Sequence, residues 1–134
     1  MKTGLLVCAR MGSSRLPKKH LHEASGKPLM YYLLGRVNKE FEKEIANGEA
    51  EVIICSPNEP ASEEFRQFNN AKLFLGDVRN IPKRHVEAAA AFGLDQIVNI
   101  DGDDILFSKR ALRRIYQALM DGANYVYTKN MPTG

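Results

Sequence analysis

The spacing of the apolar runs constrains this chain most. Residues 5–9, 52–55, 72–75 and 96–100 form short, mostly apolar runs of four or five residues, and a further one follows at 125–128. Runs of this length suit strands buried on both faces. The segments between them carry apolar side chains at helical spacing. Residues 28–41 space Leu29, Tyr32, Leu33, Val37 and Phe41 in this way, with Pro28 suited to a first turn. Residues 60–69 turn Ala61, Phe65 and Phe68 inward. Residues 81–92, with the alanine run 88–91, end at Gly93 as a C-terminal cap, and 108–120 start at Ser108 as an N-cap with Gly122 beyond the end. Breaks fall at Asn47-Gly48 and Ser56-Pro57.

Strand and helix therefore alternate along the whole chain. That pattern predicts an α/β fold: three layers, α/β/α, around a mostly parallel sheet with helices on both faces. The 134 residues are expected to form one domain. A hydrophobic share of 44% and a charged share of 26% are those of an ordinary globular protein. The net charge of +3 is too small to imply a nucleic-acid partner. The apolar run at 5–9 is too short for a signal-peptide core or a membrane span, so no membrane association and a cytoplasmic location are expected. Cys8 and Cys55 each lie in an apolar run and read as reduced core thiols, not a disulfide.

In such sheets ligands bind beyond the carboxyl ends of the strands. Two charged stretches fall there. The first, "CARMGSSRLPKKHL", sets Arg10, Arg15 and Lys19 around a Gly12-Ser13-Ser14 turn. It fits neither the Gly-x4-Gly-Lys-Ser/Thr loop nor Gly-x-Gly-x-x-Gly. Exposed backbone N–H groups beside forked guanidiniums nevertheless suit a triphosphate, whose charge is spread over many oxygens. The bland reading is a solvated basic loop. The second stretch, "VNIDGDDILF", brings Asp101, Asp103 and Asp104 out of a strand with only Gly102 among them. Hard carboxylate oxygens beside substrate phosphates suit Mg²⁺. Alternation would put Asp101 and Asp103 on one side. The bland reading here is an Asp- and Gly-rich turn.

"ARMGSSRLPKKHL" resembles the Ala-Arg-x-Gly-Ser-x-Arg-Leu-Pro-Gly-Lys signature of the sugar-activating cytidylyltransferases. These comprise the acylneuraminate and 3-deoxy-manno-octulosonate cytidylyltransferases and the spore-coat polysaccharide group. "SGKPLMYYLLGRV" and "RHVEAAAAFGLDQIVNIDGDDILFS" are similar to later segments of the same family, in the same order. The resemblance implies a Rossmann-like fold of the nucleotide-diphospho-sugar transferase type, truncated to an N-terminal nucleotide-binding half over residues 1–134. It implies transfer of CMP from CTP to an acidic sugar, with pyrophosphate released, in surface-polysaccharide biosynthesis. By matching position, Ala9, Arg10, Gly12, Ser13, Arg15, Lys19 and Arg84 would meet the nucleotide. Arg15, Lys19 and Asp103 would serve catalysis, and Asp103 would hold Mg²⁺. A metal role for Asp101 rests on its spacing alone.

Three departures stand out. Lys18 replaces the signature glycine, Ile105 replaces a proline of the Gly-Asp turn, and the relatives are longer. Two other readings therefore stay open: a non-catalytic nucleotide-binding module, and a transferase using another nucleotide. A homodimer stays open as well. His20, His22 and His85 read as surface residues, and Tyr31 and Tyr32 as core and rim. Ser14 has no matched His–Asp pair to make it a nucleophile.

Overall fold

The computed structural model describes residues 1–11, 19–102 and 108–124. The expected alternation is present. Strand β1 (Thr3–Cys8) leads, across the first charged stretch, to a 3-10 turn (Lys19–Leu21) and a two-strand hairpin of β2 (Glu23–Ala24) and β3 (Lys27–Pro28). Helices α1 (Leu29–Glu40) and α2 (Glu42–Ala46) follow, then β4 (Ala50–Pro57), a 3-10 helix (Pro60–Gln67) and β5 (Lys72–Gly76). Helix α3 (Ile81–Phe92), β6 (Gln96–Asp101) and α4 (Lys109–Met120) complete the described elements. The fifth strand expected at 125–128 lies outside the described residues.

The main sheet runs β5-β4-β1-β6, and every pairing in it is parallel. Two cores fill its two faces. Leu5 and Val7 of β1 point toward α1 and α4, where Leu33, Leu34, Val37, Phe65 and Tyr116 close over them. Leu6 points the other way, into a smaller cluster with Ile53, Cys55 and Ala88 under α3. Alternation along β1 explains the split, since successive side chains of a strand face opposite sides.

Local chemistry sets the element ends as expected at Gly93 and Ser108, and Asn80 adds a cap that the sequence reading did not name. Gly93 adopts the left-handed conformation, φ 63° and ψ 43°, and caps α3. The Asn80 side chain accepts from the Lys83 N–H at 3.0 Å to start α3, and the Ser108 hydroxyl accepts from the Ala111 N–H at 3.1 Å to start α4. Two features differ from the sequence reading. Residues 60–67 wind as a 3-10 helix, although Phe65 and Phe68 do face inward. The hairpin at 23–28 was not expected, because two-residue strands carry no periodic pattern. Its turn places Ser25 and Gly26 at positive φ, 52° and 82°, the conformation that a two-residue hairpin demands. Among the described residues, no helix is long and apolar enough to cross a membrane.

Candidate nucleotide site

The carboxyl ends of the central strands build the site. Cys8, the last residue of β1, lies between Cys55 of β4 and Asp101 of β6 as register partners. The chain then leaves the sheet through two further bonds. The Ala9 N–H donates to the Cys55 carbonyl at 3.2 Å, and the Gly102 N–H donates to the Cys8 carbonyl at 2.9 Å. A Cβ on Gly102 would lie 2.5 Å from the Cys8 carbonyl oxygen and 3.0 Å from the Ala9 Cβ. Only glycine permits that approach. The two charged stretches, far apart in sequence, thus depart from one lip side by side.

The first stretch is anchored at both ends. Ala9 and Met11 are buried, and Arg10 between them is exposed. The chain resumes at Lys19, and His20 is buried with its ring 5.7 Å from that of Phe65. His20 is therefore not the surface residue that its loop position suggested: the 3-10 turn carries it inward against Phe65. His22 is exposed as expected. Tyr31 is exposed and Tyr32 half-buried, so both are rim residues. Gly12, Ser13 and Arg15, and Asp103 of the second stretch, lie outside the described residues. Asp101 is exposed at the tip of β6.

Arg84 is buried on the α3 side of the lip. Its Nε donates to the Asp77 carbonyl at 2.8 Å and its Nη2 to the Val78 carbonyl at 3.1 Å. Its aliphatic stem leans on Gly76, where an added Cβ would come within 2.7 Å of the Arg84 Cγ. Arg84 thus ties α3 to the turn that follows β5. Asp77 secures the same turn, accepting the Asn80 N–H at 2.8 Å and the Arg79 N–H at 3.1 Å. Those backbone donors hold its carboxyl below the usual aspartate range.

Sequence reasoning missed a polar cluster beside Arg84. The Cys8 Sγ lies 3.0 Å from His85 Nε2 and 2.8 Å from Asn99 Oδ1. Cys8 is half-buried, not a core residue, and His85 is half-buried, not exposed. Burial, with Arg84 close by, keeps the His85 imidazole below its ordinary value and so neutral at pH 7. The neighbouring Cys55 sulfur and burial push the Cys8 thiol up. The signal was available in part: alternation in 96–101 puts Ile97, Asn99 and Asp101 on one face, the face opposite buried Val98 and Ile100. The α3 residue and the strand register that complete the cluster are not written in any local pattern.

A basic strand end and an acidic one lie side by side at the carboxyl edge of a parallel sheet, the place where open α/β folds take their ligands. Residues 5–134 match the family model described as cytidylyltransferase, and the chain belongs to that family. It is 30% identical over 119 residues to 3-deoxy-manno-octulosonate cytidylyltransferase 2 of Hydrogenovibrio crunogenus, covering 86% of this chain and 46% of that protein. It is 27% identical over 128 residues to the 3-deoxy-manno-octulosonate cytidylyltransferase of Coxiella burnetii, covering 92% and 49%. Among solved structures it resembles a cytidylyltransferase from Leptospira borgpetersenii serovar Hardjo-bovis, with a TM-score of 0.75, 26% identity, and coverage of 92% of this chain and 51% of that one. It also resembles CMP:2-keto-3-deoxy-manno-octonic acid synthetase complexed with CTP, with a TM-score of 0.72, 27% identity, and coverage of 91% and 48%. The chain spans about half the length of the curated relatives it matches.

Proposed function

We propose that this chain binds CTP at the lip formed by β1 and β6 and serves transfer of CMP to a hydroxyl of an acidic sugar. Pyrophosphate would leave, and the product would feed surface-polysaccharide synthesis in the cytoplasm. One observation carries the reading: Cys8 and Asp101 are register partners, so Arg10 and the Asp101-Gly102 turn emerge next to each other. Cations beside carboxylates at a sheet's carboxyl edge suit a nucleotide triphosphate with its counter-ion. The family and the CTP-bound structural relative support the choice of nucleotide.

In this reading Arg10, Arg15 and Lys19, with the backbone N–H groups of Ala9, Gly12 and Ser13, hold the triphosphate. Arg15 and Lys19 neutralise charge as pyrophosphate departs. Arg84 acts from the rim, through the 77–78 turn that it holds. Asp101 and Asp103 offer the oxygen donors that Mg²⁺ prefers, and Mg²⁺ needs only one or two carboxylates beside substrate phosphates and water. Asp101 and Asp103 would therefore hold Mg²⁺, which when bound stabilises charge on the phosphate oxygens.

Thermal shifts with CTP, UTP, GTP and ATP in the presence of Mg²⁺ test the reading. A ligand stabilises the folded state by RT ln(1 + [L]/Kd), about 2.7 kcal/mol at a hundredfold excess over Kd. CTP should give the largest shift, and Asp103→Asn should abolish the part that depends on Mg²⁺. Equal or absent shifts with all four nucleotides would remove the CTP assignment. CTP binding without pyrophosphate release, with 3-deoxy-manno-octulosonate present, would make the chain a binding module instead of an enzyme.

A further inference from the structure

We propose that Cys8 and Cys55 form an oxidisable dithiol at the lip of the candidate site, converted by a two-electron oxidant such as hydrogen peroxide into an intrachain disulfide between β1 and β4. Four observations carry it. The two residues are direct register partners on adjacent parallel strands, so their Cα atoms are held as neighbours along the whole β1–β4 ladder. Both belong to the face under α3, Cys55 fully buried within the cluster and Cys8 packed at its edge. Both are free thiols. The fourth observation is His85, whose Nε2 lies 3.0 Å from the Cys8 Sγ and whose imidazole burial keeps below its ordinary value.

The exposure of the two sulfurs assigns their roles. Cys8 is half-buried at the lip and meets the oxidant, whereas Cys55 is sealed from it. The Cys8 thiol gives its proton to the neutral His85 imidazole, and the thiolate attacks one peroxide oxygen. The O–O bond breaks, the departing hydroxide takes the proton from His85 and leaves as water, and Cys8 becomes a sulfenic acid. The Cys55 sulfur then attacks the Cys8 sulfur, its proton leaves with the sulfenic oxygen as a second water, and the S–S bond forms. Two thiols lose two electrons and one peroxide becomes two waters. The charged groups around the pair are Arg84 on α3, which favours thiolate at both sulfurs, and Asp101 on β6 beside Cys8 and Glu87 on α3 beside Cys55, which oppose it; the Cys55 sulfur and burial hold the Cys8 thiol up, so its reaction depends on the proton transfer to His85.

The bridge would lie directly before Ala9 and Arg10, so it would fix the strand pair from which the nucleotide loop departs. Oxidised and reduced protein should therefore differ in CTP affinity. That consequence rests on the nucleotide reading above; equal affinities with the disulfide formed would overturn the coupling and leave the dithiol standing.

The test is oxidation of the native chain with stoichiometric hydrogen peroxide, followed by intact mass, thiol titration and a non-reducing digest. The expected result is loss of both titratable thiols and of two hydrogens, a linked Cys8–Cys55 peptide pair, and full reversal by dithiothreitol. Cys8→Ser and Cys55→Ser should each give no intrachain product. His85→Ala should slow the reaction by about tenfold or more, since it removes the proton acceptor. Two surviving thiols in folded wild-type protein, or disulfides that form only between chains, would overturn the proposal; a wild-type rate in His85→Ala would overturn the role of His85.

Discussion

The two faces of the sheet are built to different plans. Toward α1 and α4, the side chains of Leu5, Val7, Val52 and Ile54 meet Leu33, Leu34, Val37 and Phe65 in one dry cluster. Its rim is closed by Arg113, whose guanidinium lies 4.4 Å from the Phe41 ring centroid and 5.5 Å from that of Tyr116. The same guanidinium binds Glu44 and, at 3.2 Å, Glu40. Toward α3 the core is smaller, and it ends at polar groups: Cys8, His85, Asn99 and the exposed Asp101. One face holds the fold together. The other leaves titratable groups at the lip where the chain is read to do its chemistry. Segregation of this kind lets the lip be altered at little cost to folding.

The largest effect should come from the packed face. Phe65→Ala removes a fully buried ring and should cost about 3–5 kcal/mol in urea unfolding, the usual range for such a cavity. A cost under about 1 kcal/mol would mean that this face is not the main core. Gly102→Ala strikes the junction between face and lip. Its Cβ must displace the Cys8 carbonyl, so a loss of about 1–3 kcal/mol is expected, together with weaker CTP binding. Unchanged CTP affinity in that variant would separate the lip geometry from the nucleotide site.

Arg113→Ala should cost less, about 1–2 kcal/mol, because the ion pairs are partly exposed and screened while the ring contacts are lost outright. Its pH signature is more specific. The Glu44 carboxyl is held below its ordinary value of 4.5, first by the hydrogen bond from Arg113. A depressed carboxyl contributes stability that is present above 4.5 and lost as pH falls through the folded-state value, because the unfolded chain then binds more protons. Wild-type stability should therefore fall more steeply below pH 4.5 than that of Arg113→Ala; parallel acid curves would remove Glu44 from the account. His85→Ala should have the smallest effect on stability, under about 1 kcal/mol, since it removes one half-buried polar contact. A loss as large as that of Phe65→Ala would erase the difference between the faces.

The order of strands and helices was readable because the short apolar runs and the caps at Ser108 and Gly93 are local signals. The direction in which the two charged stretches leave the sheet followed from the same order. What escaped was set by contacts between distant residues. The Arg113 clamp joins α4 to residues of α1 and α2, and nothing near Arg113 in sequence announces Glu40 or Glu44. Cys8 and Cys55 were each readable as thiols in strands, but their pairing depends on a register that apolar runs do not encode. His20 looked exposed in a basic loop because the 3-10 turn that buries it against Phe65 has no pattern of its own.

The claim that binds these observations together is that the basic stretch after β1 holds the triphosphate of CTP. Calorimetric titration of CTP into the wild-type chain and into Arg15→Ala, with Mg²⁺ present, tests it most directly. A guanidinium on phosphate is a charge-assisted, forked contact worth about 1.5–3 kcal/mol, so Arg15→Ala should bind CTP roughly ten- to a hundredfold more weakly with its thermal unfolding unchanged. CTP affinity equal to wild type in a folded Arg15→Ala would contradict it.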